Sequence, residues 1–145
     1  MDKIEQQISR FKKLDIDKIF KASVTEVKDI LLEYNKDQLL HGLATDGNTL
    51  GEYADEEYAN AKQDAGSLAP HGVYDFFLYG DFQDAMSIDF DLFANIIVTS
   101  TDGKTKKLEK LAEGEVFGLT EENLERFRVL ILPIFQRRLR KELGY

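Results

Sequence analysis

The chain has no cysteine, no tryptophan, and only two histidines, two prolines and two methionines in 145 residues. Without cysteine it has no disulfide, no thiolate metal ligand and no cysteine nucleophile, which suits a reducing compartment. The two histidines, His41 and His71, leave little for imidazole catalysis or a histidine-built metal site. No apolar run approaches the ~18 residues of a membrane-spanning helix. The start, MDKIEQQISRFKK, is amphipathic and lacks the apolar block of a secretory leader. Neither glycine-rich phosphate loop occurs, nor a G-x-S-x-G elbow, nor a His-x-x-x-His pair. Basic residues are outnumbered, 19 Lys and Arg against 27 Asp and Glu, a formal net charge of −8. Such a chain repels a phosphate backbone, so nucleic-acid binding is disfavoured.

What is present is ordinary for one globular domain: 43% hydrophobic and 32% charged residues. The charge is unevenly distributed. Residues 1–41 are neutral, residues 42–103 carry twelve acids and only Lys62, and residues 104–145 are net +3. A concentrated negative field therefore lies between a balanced and a basic flank.

Apolar spacing predicts the elements. Ile4, Ile8, Phe11 and Leu14 form one helical stripe, which Ile16, Ile19 and Phe20 either extend or follow as a second short piece. Ser23 and Glu26 have capping-box spacing, and Val27, Ile30, Leu31 and Tyr34 continue a helix predicted over 24–41 and stopped by Gly42. Residues 43–72 read as a long irregular loop. Asp46-Gly47-Asn48 marks a turn there, and 55–63 offers a turn or two of helix. Strands are predicted at 73–79, at 86–92 by strict alternation, and at 96–100. A short charged helix over 104–113 follows. Thr120 then caps a last helix with acids first and bases last, which Pro133 is expected to kink or split. The whole reads as a single α+β domain over 1–145: helical 1–42, loop 43–72, antiparallel strands 73–102, helical 104–145. N-terminal and C-terminal helices cover one face of a small sheet of about three to four strands.

Catalytic constellations are thin. Asp81 and Asp84 have the chemistry of a carboxylate pair but no sugar-binding cleft around them. Asp89 and Asp91 read as the solvated face of a strand. Asp46-Gly47-Asn48 lacks the rest of a calcium loop. What stands out is surface. Tyr53 and Tyr58 flank the acids Asp55, Glu56 and Glu57 in the loop, and fit either an interface or the core; Tyr74, Tyr79 and Phe82 fit the sheet core. Arg137, Arg138, Arg140 and Lys141 crowd the final helix. The acidic loop and the basic helix are candidate complementary patches for a head-to-tail contact, with residues 43–72 as an arm ordering on assembly.

One arrangement carries a resemblance. Asp46-Gly47, Gly51-Glu52-Tyr53, Tyr58 and Lys62 precede Leu78-Tyr79-Gly80-Asp81-Phe82 and Met86. Then follow residues 96–102, a lysine-rich helix, Val116-Phe117-Gly118-Leu119 and the basic terminal helix. Over residues 38–143 this order resembles the small tailed-phage virion-morphogenesis proteins, the tail-completion or head–tail joining group. Tyr79 stands where that family usually has threonine. The resemblance implies a structural neck component that forms a symmetric homo-oligomeric ring with other phage head or tail proteins. It implies a place in the virion after assembly in the host cytoplasm, and neither catalytic residues nor cofactor. A non-virion assembly factor or protein-binding adaptor is the alternative, and a small carboxylate-dependent hydrolase a distant third.

Overall fold

A computed structural model describes residues 2–77 and 80–145. The elements run α1 (Lys3–Lys12), α2 (Ile16–Glu26), α3 (Lys28–Leu40), α4 (Glu56–Asp64), α5 (Asp81–Asp84), β1 (Met86–Phe90), β2 (Ile96–Ser100), α6 (Thr105–Leu111) and α7 (Glu121–Leu143). The α+β class holds, with a smaller sheet than expected. Among the described residues it has two antiparallel strands, with Met86 opposite Ser100 and Phe90 opposite Ile96.

The strand predicted at 73–79 is not formed over its described part, and residues 78 and 79 of that prediction lie outside the described residues. The aromatic run has β propensity, but its backbone turns away. Phe76 adopts a left-handed φ of 53°, and the Asp75 carboxylate accepts the Phe77 N–H at 3.0 Å. Among its described residues only Val73 pairs, through a lone bridge to Glu52. A left-handed aromatic residue cannot continue a ladder.

The helix predicted over 24–41 is two helices, broken at Val27 (φ −120°, ψ 18°). Ser23 is not a cap. It is buried inside α2 with its Oγ donating to the Ile19 carbonyl at 2.7 Å, and Glu26 turns instead to Arg137 and Arg138. The expected stop at Gly42 is formed. The Leu43 N–H reaches the Gln38 carbonyl and the Gly42 N–H that of Leu39, a Schellman motif with Gly42 at φ 75°. At the other end α7 runs unbroken through Pro133. The proline faces solvent, and its missing N–H frees only the carbonyl of Val129, itself an exposed residue that water can reach.

Two apolar clusters share the hairpin. Leu32, Leu39, Leu50, Phe82, Met86 and Val116 form one, and Val24, Val27, Leu31 and Phe127 the other. Ile88 and Val98, directly opposite each other on β1 and β2, touch both. A buried amide network ties α3 to the start of α7. Asn35 donates to the Val116 carbonyl and accepts from the Gly118 N–H, while Gln38 donates to the Gly118 carbonyl. The Gln38 carbonyl oxygen accepts from the Thr120 N–H and Asn123. Every polar group of the Asn35 and Gln38 side chains named here has a partner, which keeps their burial tolerable.

The segment 43–72 is not a free arm. Leu50 is fully buried, Ala44, Ala59 and Ala69 nearly so, and α4 sits within it on an Asp55 cap. Backbone bonds from Leu50 to Gly42, Tyr53 to Gly72 and Glu113 to Leu50 sew it to its surroundings. The small-residue spacing that looked like loop composition is what lets this segment pack closely.

Candidate interaction site

The distant pieces of the sequence pattern meet in one aromatic ladder. Tyr58 packs edge-on to Tyr53 (centroids 5.0 Å), Tyr53 on Tyr74 (4.8 Å), Tyr74 stacks on Phe76 (6.0 Å), Phe76 meets Phe82 (6.2 Å), and Phe82 meets Phe117 (5.8 Å). These spacings are those of favourable aromatic pairs. Gly51 has φ 114°, and a Cβ there would lie 3.0 Å from the Tyr74 ring, so a side chain at this position would push the ladder apart.

Lys62 and Asp75 lock the ladder from behind. Lys62 Nζ lies 2.8 Å from Asp75 Oδ1 and also donates to the Phe77 carbonyl. The nearly buried carboxylate accepts as well from Ser67 Oγ (2.7 Å), the Phe77 N–H (3.0 Å) and the Tyr53 hydroxyl (3.3 Å). Burial, then the Asp75 charge, pushes the Tyr53 hydroxyl pKa far above its ordinary value, so Tyr53 stays a neutral donor.

One side of the ladder opens as an apolar cleft of about 420 Å³, walled by Tyr53, Tyr58, Phe77, Phe82, Leu108 and Leu111. Lys104 and Lys107 stand at its rim, exposed, and no ion pair engages them among the described residues. Gln83 reaches the same cleft. Its Nε2 donates to the Phe76 carbonyl at 3.1 Å, but its Oε1 is buried without a hydrogen-bond partner among the described residues. A buried acceptor left unmatched is costly.

The hairpin makes the second notable surface. Asp91 Oδ1 accepts from the Phe93 and Asn95 N–H groups (2.8 and 2.9 Å), its Oδ2 from Asn95 Nδ2 (2.9 Å), and the Ala94 N–H closes onto the Asp91 carbonyl. These hydrogen bonds hold the Asp91 carboxyl below the usual carboxylate range. They also hold Leu92 and Phe93 outward, 94% and 82% exposed. The alternation that buries Met86, Ile88 and Phe90 would have placed Leu92 inside; the turn at Asp91 sends it into solvent.

The expected site residues divide. Tyr53 and Tyr58 sit together at the cleft, Asp55 is the α4 cap, and Glu56 and Glu57 lie exposed on its first turn. Arg137 and Arg138 both bind Glu26 within the same chain, at 2.7 and 3.0 Å. Arg140 lines a separate shallow groove with Pro133, Gln136 and Tyr145, and Lys141 another beside Lys13 and Lys18. None of the four basic residues lines the cleft. Asp81 does, at its edge. His41 Nδ1 contacts the Asp37 carbonyl at the end of α3, and His71 lies exposed in a turn. Sequence reasoning missed Asp75, Gln83 and the Leu92–Phe93 pair. A carboxylate inside an aromatic run and two apolar residues at a turn were the available signals.

Among the described residues no group of three or more acids and histidines is arranged to hold a metal ion, and no helix is long and apolar enough to cross a membrane. Comparison with family models, characterised proteins and solved structures finds no significant match.

Proposed function

We propose that this chain is a structural assembly subunit of a tailed-phage particle, of the tail-completion or head–tail joining kind. It works by binding copies of itself and neighbouring head or tail proteins in a symmetric ring. The observation that carries the reading is where large apolar side chains lie. Leu92 and Phe93 on the hairpin, and Ile4 (71% exposed) and Phe11 (69% exposed) on α1, face solvent. Grouped apolar exposure of this kind marks surfaces that another protein covers. The aromatic ladder adds support. The pattern pieces Gly51 and Tyr53, Phe82, and Phe117-Gly118 are structural parts of one scaffold.

The test is quantitative mass spectrometry of purified virus particles from a genome that encodes this chain. A fixed low copy number per particle is the expected result. Absence from particles whose assembly nevertheless requires the chain would refute the reading in favour of a transient assembly factor.

A further inference from the structure

Three features match each other across two different parts of the molecule. The first is the rigid tip, with Leu92 and Phe93 held outward on the Asp91 carboxylate. The second is the apolar cleft, large enough for two such side chains. The third is charge: Asp89 and Asp91 flank the tip, while Lys104 and Lys107 stand at the cleft mouth.

The tip cannot serve its own cleft. β1 starts at Met86, two residues after α5, whose Asp81, Phe82 and Gln83 line the cleft. Five strand residues at ~3.3 Å each carry the tip about 17 Å away from that end. Its occupant of matching chemistry is therefore on another molecule, and the chain itself supplies one.

We propose that the Leu92–Phe93 tip of one copy seats in the aromatic cleft of the next, with Asp89 and Asp91 facing Lys104 and Lys107. The two patches differ, so the contact is heterologous and propagates head to tail until it closes as a ring. The hydrogen bonds already made by Asp91 spare the tip most of its ordering entropy on docking. The charges steer and register the encounter, whereas Phe93 supplies most of the affinity. The inference rests on the self-assembling half of the proposed function and names its interface.

Light scattering coupled to size exclusion, on the full chain, tests it. The wild type is expected to form concentration-dependent oligomers. Phe93→Ala should weaken association roughly 30-fold or more. The paired variant Lys104→Glu with Lys107→Glu should also be weakened, and Asp89→Lys should partly restore it. Phe93, Lys104 and Lys107 are exposed, so unchanged circular dichroism and melting temperature show that neither variant has lost its fold. Mixing the tip variant with the rim variant leaves one working tip and one working cleft, and should give dimers that grow no further. A wild type that stays monomeric at about 100 µM overturns the inference. So does a Phe93→Ala variant that assembles like the wild type, while leaving the particle-subunit reading intact. That reading falls separately, on the absence of the chain from purified particles.

Discussion

Replacing Lys62 by methionine removes the cation of the buried pair with Asp75 and keeps much of the side chain's apolar length. At an effective dielectric of about 20, unit charges 2.8 Å apart attract by ~6 kcal/mol. Desolvating both ions offsets several kcal/mol each, so the intact pair contributes little net stability. Removing one partner is a different matter. The Asp75 carboxylate, with a side chain 3% exposed, would face only the neutral donors Ser67, Tyr53 and the Phe77 amide. The Phe77 carbonyl also loses its Lys62 donor. Stranding a buried charge costs about 3–5 kcal/mol, and the three remaining donors reduce this to about 2–4 kcal/mol. Against a domain stability of about 5–15 kcal/mol, the urea midpoint should fall by ~1–2 M with an unchanged slope. Far-UV circular dichroism suits the assay, since the chain has no tryptophan. The double variant Lys62→Met with Asp75→Asn should be less destabilised than the sum of the singles by at least ~1 kcal/mol. A Lys62→Met loss below about 0.5 kcal/mol, or strict additivity, would refute the pair as a buried lock.

Three further outcomes follow from the same structure. Asn35→Ala should cost about 2–3 kcal/mol, because the Val116 carbonyl and the Gly118 N–H lose their buried partner; thermal unfolding measures it. Gly51→Ala should destabilise by about 2 kcal/mol or more, since the new Cβ meets the Tyr74 ring at a left-handed φ, and loss of near-UV tyrosine dichroism should accompany it. Arg137 and Arg138 hold the Glu26 carboxyl below its ordinary value of 4.5, so its stabilising effect is full above about pH 4.5 and lost as pH falls through the lower folded value. Glu26→Gln should therefore flatten that stretch of the acid unfolding curve. The difference from wild type at neutral pH should shrink in high salt, as expected of an exposed ion pair.

Local chemistry settled much of this protein without tertiary help. Gly42 stops α3 because only a residue free to take positive φ closes that motif, and Thr120 caps α7 because its hydroxyl meets the Asn123 N–H. Alternation marked a strand over 86–92, of which Met86–Phe90 forms, and the Asp46-Gly47-Asn48 turn closes through its own side chain. Periodicity failed where long-range partners outbid it. The aromatic run at 73–77 has strand propensity, but Asp75 is drawn to Lys62, Ser67 and Tyr53, and the backbone bends to deliver it. Ser23 and Glu26 have cap spacing, yet Glu26 answers two arginines more than a hundred residues away.

The candidate site was legible only in part. Tyr53 and Tyr58 stand out as aromatics among acids, but their grouping with Leu108 and Gln83 depends on how separate segments pack. The basic run in α7 is conspicuous in sequence, while the capture of Arg137 and Arg138 by α2 is a tertiary fact. By itself the amino-acid order determined the α+β class, several helix ends and the paired part of the hairpin, because capping, turn chemistry and short-range periodicity act over a few residues. Only the tertiary structure decided which polar groups are matched within the chain, which one, Gln83 Oε1, is buried without a partner among the described residues, and that the apolar Leu92–Phe93 tip faces outward. That outcome depends on surfaces brought together from distant parts of the chain, and no local pattern encodes it.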